Sequence, residues 1–366
     1  MLGPNLRGAE RTRYGGVVMS HSSGERWAHV DALRAGEAVT ITTAFDVVRT
    51  GVLTQNAAGE LWLDDILVRQ QNSWVGVQVK SLRRAILEPG IYDRISHGDY
   101  HADPVPAGSL SSTQLKWLTP PSCPAKFRWN TDNPIDREVT EGMDIGQVYH
   151  TLALGEGPDI VEVKADSWRT KAAQDERDWA RKVGRTPILS ERLAEVREMV
   201  KVLHADPIAK AALSNGKSEQ SFFWRDLEGV WGRGRVDWLP NQRKGRLIIP
   251  DLKSAYTANP ADFGRTSATD YGYAQSADWY LRGLRAVGYA DERTAFVFVV
   301  QEKKPPYLPQ VIQLDADSMR VGEILNDRAI QTYIQCQESG RWPGYHEGVA
   351  TSRLAPWLIR EVLESE

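Results

Sequence analysis

The residues most able to do chemistry together are Asp237, Asp251 and Lys253. They lie in Gly234-Arg235-Val236-Asp237 and, after thirteen intervening residues, Asp251-Leu252-Lys253. Side chains two apart on a strand share a face, so Asp251 and Lys253 point the same way while Leu252 turns into the core. A strand over 230–238 lying beside one over 247–253 brings Asp237 to the same end. Two carboxylates and an ammonium gathered there cost free energy unless something binds among them. A divalent cation resolves that cost, and hard oxygen ligands favour Mg²⁺, with Mn²⁺ able to substitute. A lysine beside such an ion orients water or holds the charge that develops on a phosphate. Taken alone, Asp-Leu-Lys also reads as an ordinary salt bridge at a solvated strand edge.

A phosphate substrate needs cations as well. Arg233 and Arg235 alternate on the strand leading to Asp237, and Arg243, Lys244 and Arg246 fill the loop after it. Residues 225–253 carry seven Lys/Arg against four Asp/Glu, a local charge of +3. Such a basic loop positions phosphates, or is simply solvated. Ser111, Ser112 and Thr113 open a predicted helix, where free N–H groups could cradle a 5′-phosphate or where the hydroxyls only cap. Glu219 opens a strand over 219–226 and has three readings: orienting water, binding a second metal, or pairing with an arginine.

The elements that must position these residues follow from periodicity. A helix is expected over about 141–153 and two more within 166–203. The later of these is capped by Ser190 and shows Leu193, Val196, Val200 and Leu203 on one face. Strands over 219–226, 230–238 and 247–253 read as three antiparallel neighbours, followed by a helix over 270–287 and a strand from Thr294 to Val300. Nearer the N-terminus, residues 38–80 alternate with period two between short turn signals, which predicts a small closed SH3-like β-barrel module over 25–85. That module reads as a spacer or docking unit, or as a DNA- or partner-binding barrel. Residues 1–24 read as a flexible leader, with Met19 as an alternative start.

Composition bounds the remaining choices. With 366 residues, net charge −3, 41% apolar and 25% charged residues, the chain is neither a disordered tail nor a histone-like polycation. It has no run of 18 apolar residues, which excludes a transmembrane helix, and no secretory h-region. Its two cysteines, Cys123 and Cys336, form no C-x-x-C pair, so a cysteine zinc site or iron–sulfur cluster lacks ligands and a reducing cytoplasm is expected. The net charge argues against nucleic acid, whereas the local +3 argues for it.

From Glu88-Pro89-Gly90-Ile91-Tyr92 onward the chain resembles the RecE-type (exonuclease VIII-like) phage exonucleases of the PD-(D/E)XK nuclease superfamily. The resemblance runs through Ser96, Tyr100, Leu110-Ser111-Ser112-Thr113-Gln114-Leu115 and Gly146-Gln147-Val148-Tyr149-His150. It continues through Glu219, Trp224, Arg235-Val236-Asp237 and Pro250-Asp251-Leu252-Lys253, and closes with Tyr280, Trp342-Pro343 and Pro356-Trp357. It implies an α/β fold: a restriction-endonuclease-like core, a mixed central sheet flanked by helices, over 86–366, behind the small N-terminal β-barrel. It implies that His150, Asp237 and Asp251 are metal ligands, joined by the Leu252 carbonyl, and that Lys253 is the catalytic lysine. By itself, His150 beside Val148, Tyr149 and Leu152 reads as a core histidine.

Related nucleases carry Gln and Tyr four residues apart on the helix after the lysine strand. Here Gln275 and Tyr280 are five apart, so Gln275 and Ser276 both remain candidates, and Tyr280 reads equally as helix packing. The implied activity is Mg²⁺-dependent 5′→3′ degradation of linear double-stranded DNA, leaving 3′ overhangs for phage or prophage recombination. The implied setting is a homo-oligomeric ring on DNA ends in the bacterial host cytoplasm, partnered by a RecT-type annealing protein. A structure-specific or end-trimming endonuclease of the same fold and a non-catalytic DNA-binding scaffold are the alternatives.

Overall fold

The computed structural model describes residues 34–43, 48–64, 66–69, 79–93, 95–133, 139–242 and 245–364. The expected leader, Met19, Arg243 and Lys244 lie outside the described residues. At the N-terminal end, β1 (Ala38–Thr43), β2 (Val48–Val52), β3 (Thr54–Gln55), β4 (Leu61–Leu63), β5 (Ile66–Arg69) and β6 (Val79–Arg84) form two antiparallel sheets, ordered β2-β1-β6 and β3-β4-β5. Val39, Ile41, Leu53, Leu61, Leu63 and Val68 bury their side chains in one shared core, as the period-two pattern requires. No ladder joins the two sheets among the described residues, so closure into a barrel is not seen there. With β3 and β4 only two and three residues long, few backbone groups are left to close one.

The rest of the chain is mixed α/β. It opens with β7 (Gly90–Tyr92), α1 (His97–His101), α2 (Ser112–Leu118), α3 (Pro124–Asp132), α4 (Glu141–Leu154), β8 (Ile160–Val163), α5 (Lys171–Lys182) and β9 (Thr186–Leu189). There follow α6 (Ser190–Ala205), α7 (Pro207–Ala212), β10 (Gly216–Arg225), β11 (Trp231–Pro240), β12 (Ile248–Ala255) and α8 (Pro260–Phe263). After a π-helical turn at Gly264–Ala268 come α9 (Tyr273–Ala286), β13 (Ala295–Glu302), β14 (Pro309–Ile312), α10 (Ala316–Ser339) and α11 (Pro356–Leu363). No described helix is long and apolar enough to cross a membrane. Ser190 is the first helical residue of α6 rather than its cap; Leu189 holds the cap position, with no side-chain hydrogen bond.

Two three-stranded sheets, β7-β10-β11 and β12-β13-β14, carry the site. The expected run of three antiparallel strands is corrected here: β10 and β11 are antiparallel, but β12 pairs in parallel with β13 and has no ladder to β11. The parallel pair follows from the α8–α9 crossover that joins β12 to β13. The free edge of β11 is filled in two stages. Leu110 exchanges backbone hydrogen bonds with Trp231 and Arg233, and farther along the Leu252 N–H donates to Asp237 Oδ2 at 2.7 Å. A side chain thus stands in for a backbone acceptor at the seam between the sheets.

Two cores clamp β12 and β13. Ile249, Phe296, Phe298 and Val300 face the core shared with α2, α9 and α10, whereas Leu252 and Val299 face α4 and α6. The alternation of Gly and Arg on β11 also has a packing cause. A Cβ at Gly234 would lie 2.3 Å from the Phe222 ring, and one at Gly232 would lie 2.5 Å from Trp224. A Cβ at Gly283 of α9 would meet the same two rings, 2.4 Å from Trp224 and 2.7 Å from Phe222.

Candidate active site

At the seam, α4 brings His150 to β11, with His150 Nδ1 3.8 Å from Asp237 Oδ1. The register of β10 on β11 sets Ser218 against Trp238 and Gln220 against Val236, which leaves Glu219 opposite Asp237. Glu219 does so with φ +49°, a left-handed backbone that non-glycine residues adopt at a cost. His150, Glu219 and Asp237 each offer one donor atom within 4.8 Å of the others, the only such trio among the described residues. The Leu252 carbonyl accepts from Lys253 Nζ at 3.3 Å and also faces the His150 ring.

Asp251 and Lys253 do share a face, and Leu252 is fully buried against α4 and α6. Lys253 Nζ forms an ion pair with Asp251 and lies 4.0 Å from Asp237 Oδ2. Asp251 lies outside that trio, ion-paired to Lys253, and Glu219 is the second carboxylate brought beside His150 and Asp237. Burial of Asp251, reinforced by Asp237 and opposed by Lys253, pushes its carboxyl up to about 6. Burial of Glu219, with Asp237 close by, pushes that carboxyl up to about 7. Burial draws the Lys253 ammonium down, but the charges of Asp251 and Asp237 outweigh it and the net shift is upward. Burial holds His150 below its ordinary value, leaving the neutral imidazole that can donate a lone pair.

One imidazole, carboxylates and a backbone carbonyl make a donor set that fits a hard or borderline divalent cation such as Mg²⁺ or Mn²⁺. The crowding of carboxylates whose ionised forms are disfavoured is what such a cation relieves.

The other expected residues are placed unevenly. Tyr280 packs its ring against Phe222 and Phe296, while its hydroxyl is raised well above the ordinary value by burial and by acidic neighbours that include Asp251, Asp237 and Glu219. Gln275 is buried and turned to α10, where its amide meets Asn326 Oδ1 at 3.4 Å. Ser276 instead faces α2, where its hydroxyl meets Ser112 Oγ at 2.9 Å and Lys116 Nζ at 2.8 Å. Ser111 is engaged in a capping box with Gln114, and Thr113 is exposed.

The described basic residues differ in exposure and partners. Arg233 is buried and held by Asp103 at 2.8 Å and by Ser109, so it supports the β11 edge rather than a DNA surface. Arg235 lies over the Tyr100 ring at 4.5 Å and bonds Ser221 and the Ile95 carbonyl, with Glu219 3.8 Å away. Arg246, two residues before β12, is exposed and donates its Nε–H to the Arg293 carbonyl at 2.8 Å. Five residue steps, at most roughly 16 Å of extended chain, separate it from Asp251.

Lys116 was not singled out from the sequence. The signal was present in the Ser112–Lys116 spacing of one helical turn, which puts both side chains on one face.

A provisionally named exonuclease from Eubacterium rectale, known as a crystal structure, is similar at TM-score 0.50 and 10% identity over 74% of this chain and 98% of its own. At that identity the likeness is one of fold. A phage-related exonuclease from Haemophilus somnus 129PT aligns at TM-score 0.26 and 11% identity over 64% of this chain and 97% of its own, and carries no argument. No curated protein matches. Residues 111–355, about two-thirds of the chain, match the family described as a PDDEXK-like domain of unknown function (DUF3799), and the protein belongs to that family.

Proposed function

We propose that this protein is a divalent-metal-dependent nuclease that degrades linear double-stranded DNA from its 5′ ends, with Mg²⁺ as the working ion. The observation that carries the reading is the convergence of His150, Glu219 and Asp237 beside the Asp251–Lys253 pair, in a chain of a PDDEXK-like family. His150, Asp237, Glu219 and the Leu252 carbonyl would hold the ion, with Asp251 turned to Lys253. Bound there, a divalent cation lowers the pKa of water and polarises a scissile phosphate.

The chain's own residues do the rest. Neutral His150 keeps its lone pair available, and the Leu252 N–H orients Asp237 by its hydrogen bond. Lys253, fixed by Asp251, presents an ammonium to charge developing on the phosphate. The 5′→3′ polarity, the ring-shaped oligomer, the RecT-type annealing partner and work in phage or prophage recombination in a bacterial cytoplasm rest on the family resemblance.

The test is a time course on 5′- and 3′-labelled linear duplex and on closed circular DNA, with and without Mg²⁺. Loss of 5′ label from the linear form alone, abolished in Lys253→Ala and Asp237→Asn, is expected. Cutting of the circle at the linear rate would make the protein an endonuclease. Mg²⁺-independent cleavage, or full activity in both variants, would end the assignment.

A further inference from the structure

Lys116 reaches the candidate site from a separate helix. It sits one turn after Ser112 on α2, and both side chains converge on Ser276 in the first turn of α9. Lys116 Nζ donates to the Tyr271 carbonyl at 2.7 Å and to Ser276 Oγ at 2.8 Å. The stem is packed in place as well: a Cβ on Gly272, at the start of α9, would lie 3.1 Å from Lys116 Cε.

Both hydrogen-bond partners of this ammonium are neutral, and among the described residues no carboxylate forms an ion pair with it. Burial first, then the charge of Lys253, draw the Lys116 pKa down to about 8, and Asp251 opposes them. Asp251 is thus felt by both lysines. Tyr273, in the same first turn of α9 as Ser276, lies under Lys253 Nζ at 5.7 Å to its ring centre, so the turn that holds Lys116 borders the Asp251–Lys253 pair. The adjoining end of α9 has no side-chain cap and no acidic residue in its first turn. A partly buried ammonium beside a second ammonium, with only neutral acceptors, is costly until an anion arrives.

We propose that Lys116, held by Ser276, contacts a substrate phosphate neighbouring the scissile one on the strand being cut. Resting on the nuclease reading above, it makes Lys116 a substrate-positioning residue and gives the two lysines separate phosphates. Lys253 serves the reacting phosphate and Lys116 the next one along the backbone. Ser112 orients Ser276 by the hydroxyl–hydroxyl contact.

The experiment uses the full chain and a short 5′-labelled duplex in which single backbone phosphates near the cut are replaced, one at a time, by uncharged methylphosphonates. Binding is read by fluorescence anisotropy with Ca²⁺, and single-turnover cleavage with Mg²⁺, for wild type, Lys116→Met and Lys116→Arg. Wild type is expected to lose about tenfold in affinity at one replaced phosphate beside the scissile position. Lys116→Met is expected to lose a similar factor on natural DNA and nothing more at that replacement, while Lys116→Arg recovers most of the loss. Equal factors lost by wild type and Lys116→Met at every replaced phosphate would overturn the proposal, as would unaltered binding of natural DNA by Lys116→Met. A fall in melting temperature in Lys116→Met without that loss of coupling would make Lys116 a prop for the turn before α9. Absence of cleavage in wild type would sink the nuclease reading, yet the Ca²⁺ binding comparison would still decide the phosphate contact.

Discussion

The two halves of the candidate site are built on opposite charge. The seam half, from α4, β10 and β11, gathers His150, Glu219 and Asp237 and is acidic. The helix half, from β12, α2 and α9, holds Lys253 and Lys116 around a single carboxylate, Asp251. The first half fits a cation and the second fits an anion. A metal-assisted attack on a phosphodiester needs both within a few ångströms. The split also follows the sheets: no ladder crosses from β11 to β12, and Asp237 bridges the gap by its bond to the Leu252 N–H. The candidate site lies along the β11 edge that no ladder to β12 fills.

The sharpest way to break this comparison is at Asp237, which serves both the trio and the bridge. Asp237→Asn should abolish Mn²⁺ binding in a calorimetric titration and lower DNA cleavage by on the order of a thousandfold. Retained metal binding would mean that the seam half is not the cation site. Lys253→Met should separate the halves, cutting cleavage by about a hundredfold or more while Mn²⁺ binding persists. Loss of binding in that variant would show that the lysine pair supports the ligands rather than the substrate.

Packing beneath the seam comes next in size. Gly234→Val would push a branched side chain into the Phe222 ring, so thermal or denaturant unfolding should show a loss of about 3 kcal/mol. An unchanged melting temperature would mean that the ring layer can yield.

A smaller effect is expected from pH. Glu219 and Asp251 are raised to about 7 and about 6, so the folded protein holds protons that the unfolded chain releases at lower pH. Their contribution is fully present below the unfolded values of 3.8 and 4.5 and is lost as pH rises through the folded ones. Without metal, the melting temperature should therefore fall between pH 5 and 8. The increase produced by added Mn²⁺ should grow over the same range, because ligation needs the ionised carboxylate. A metal-induced shift that is flat across this range would contradict the crowding described for the seam. Least of all, Arg246→Ser, two residues before β12, should change cleavage by less than about twofold, since the residue stands well along the chain from Asp251 and its Nε is held by the Arg293 carbonyl. A tenfold loss would restore the basic loop as a DNA contact.

Much of the scaffold was legible from periodicity and capping, because those signals are local. The β10 and β11 strands, the α9 helix and the shared face of Asp251 and Lys253 each follow from a few neighbouring residues. What periodicity could not resolve was pairing: whether β12 lies antiparallel beside β11 or parallel beside β13 depends on how the α8–α9 crossover returns. Charge was misleading for a related reason. Arg233 and Arg246 count as basic wherever they point, and only the fold assigns one to Asp103 and the other to the Arg293 carbonyl.

The sequence by itself determined the chemical types available: two acids and a lysine at strand spacing, a histidine on a helix, and a hydroxyl–lysine pair one turn apart in Ser112 and Lys116. Only the tertiary structure decided their grouping. Glu219 is brought to Asp237 by cross-strand register, His150 by the packing of α4 on β12, and Asp251 is turned to Lys253 instead of the trio. Side-chain type is a property of one residue, whereas a ligand set depends on distances between residues remote in sequence. Those distances are fixed when apolar layers on both faces of β12 and β13 close.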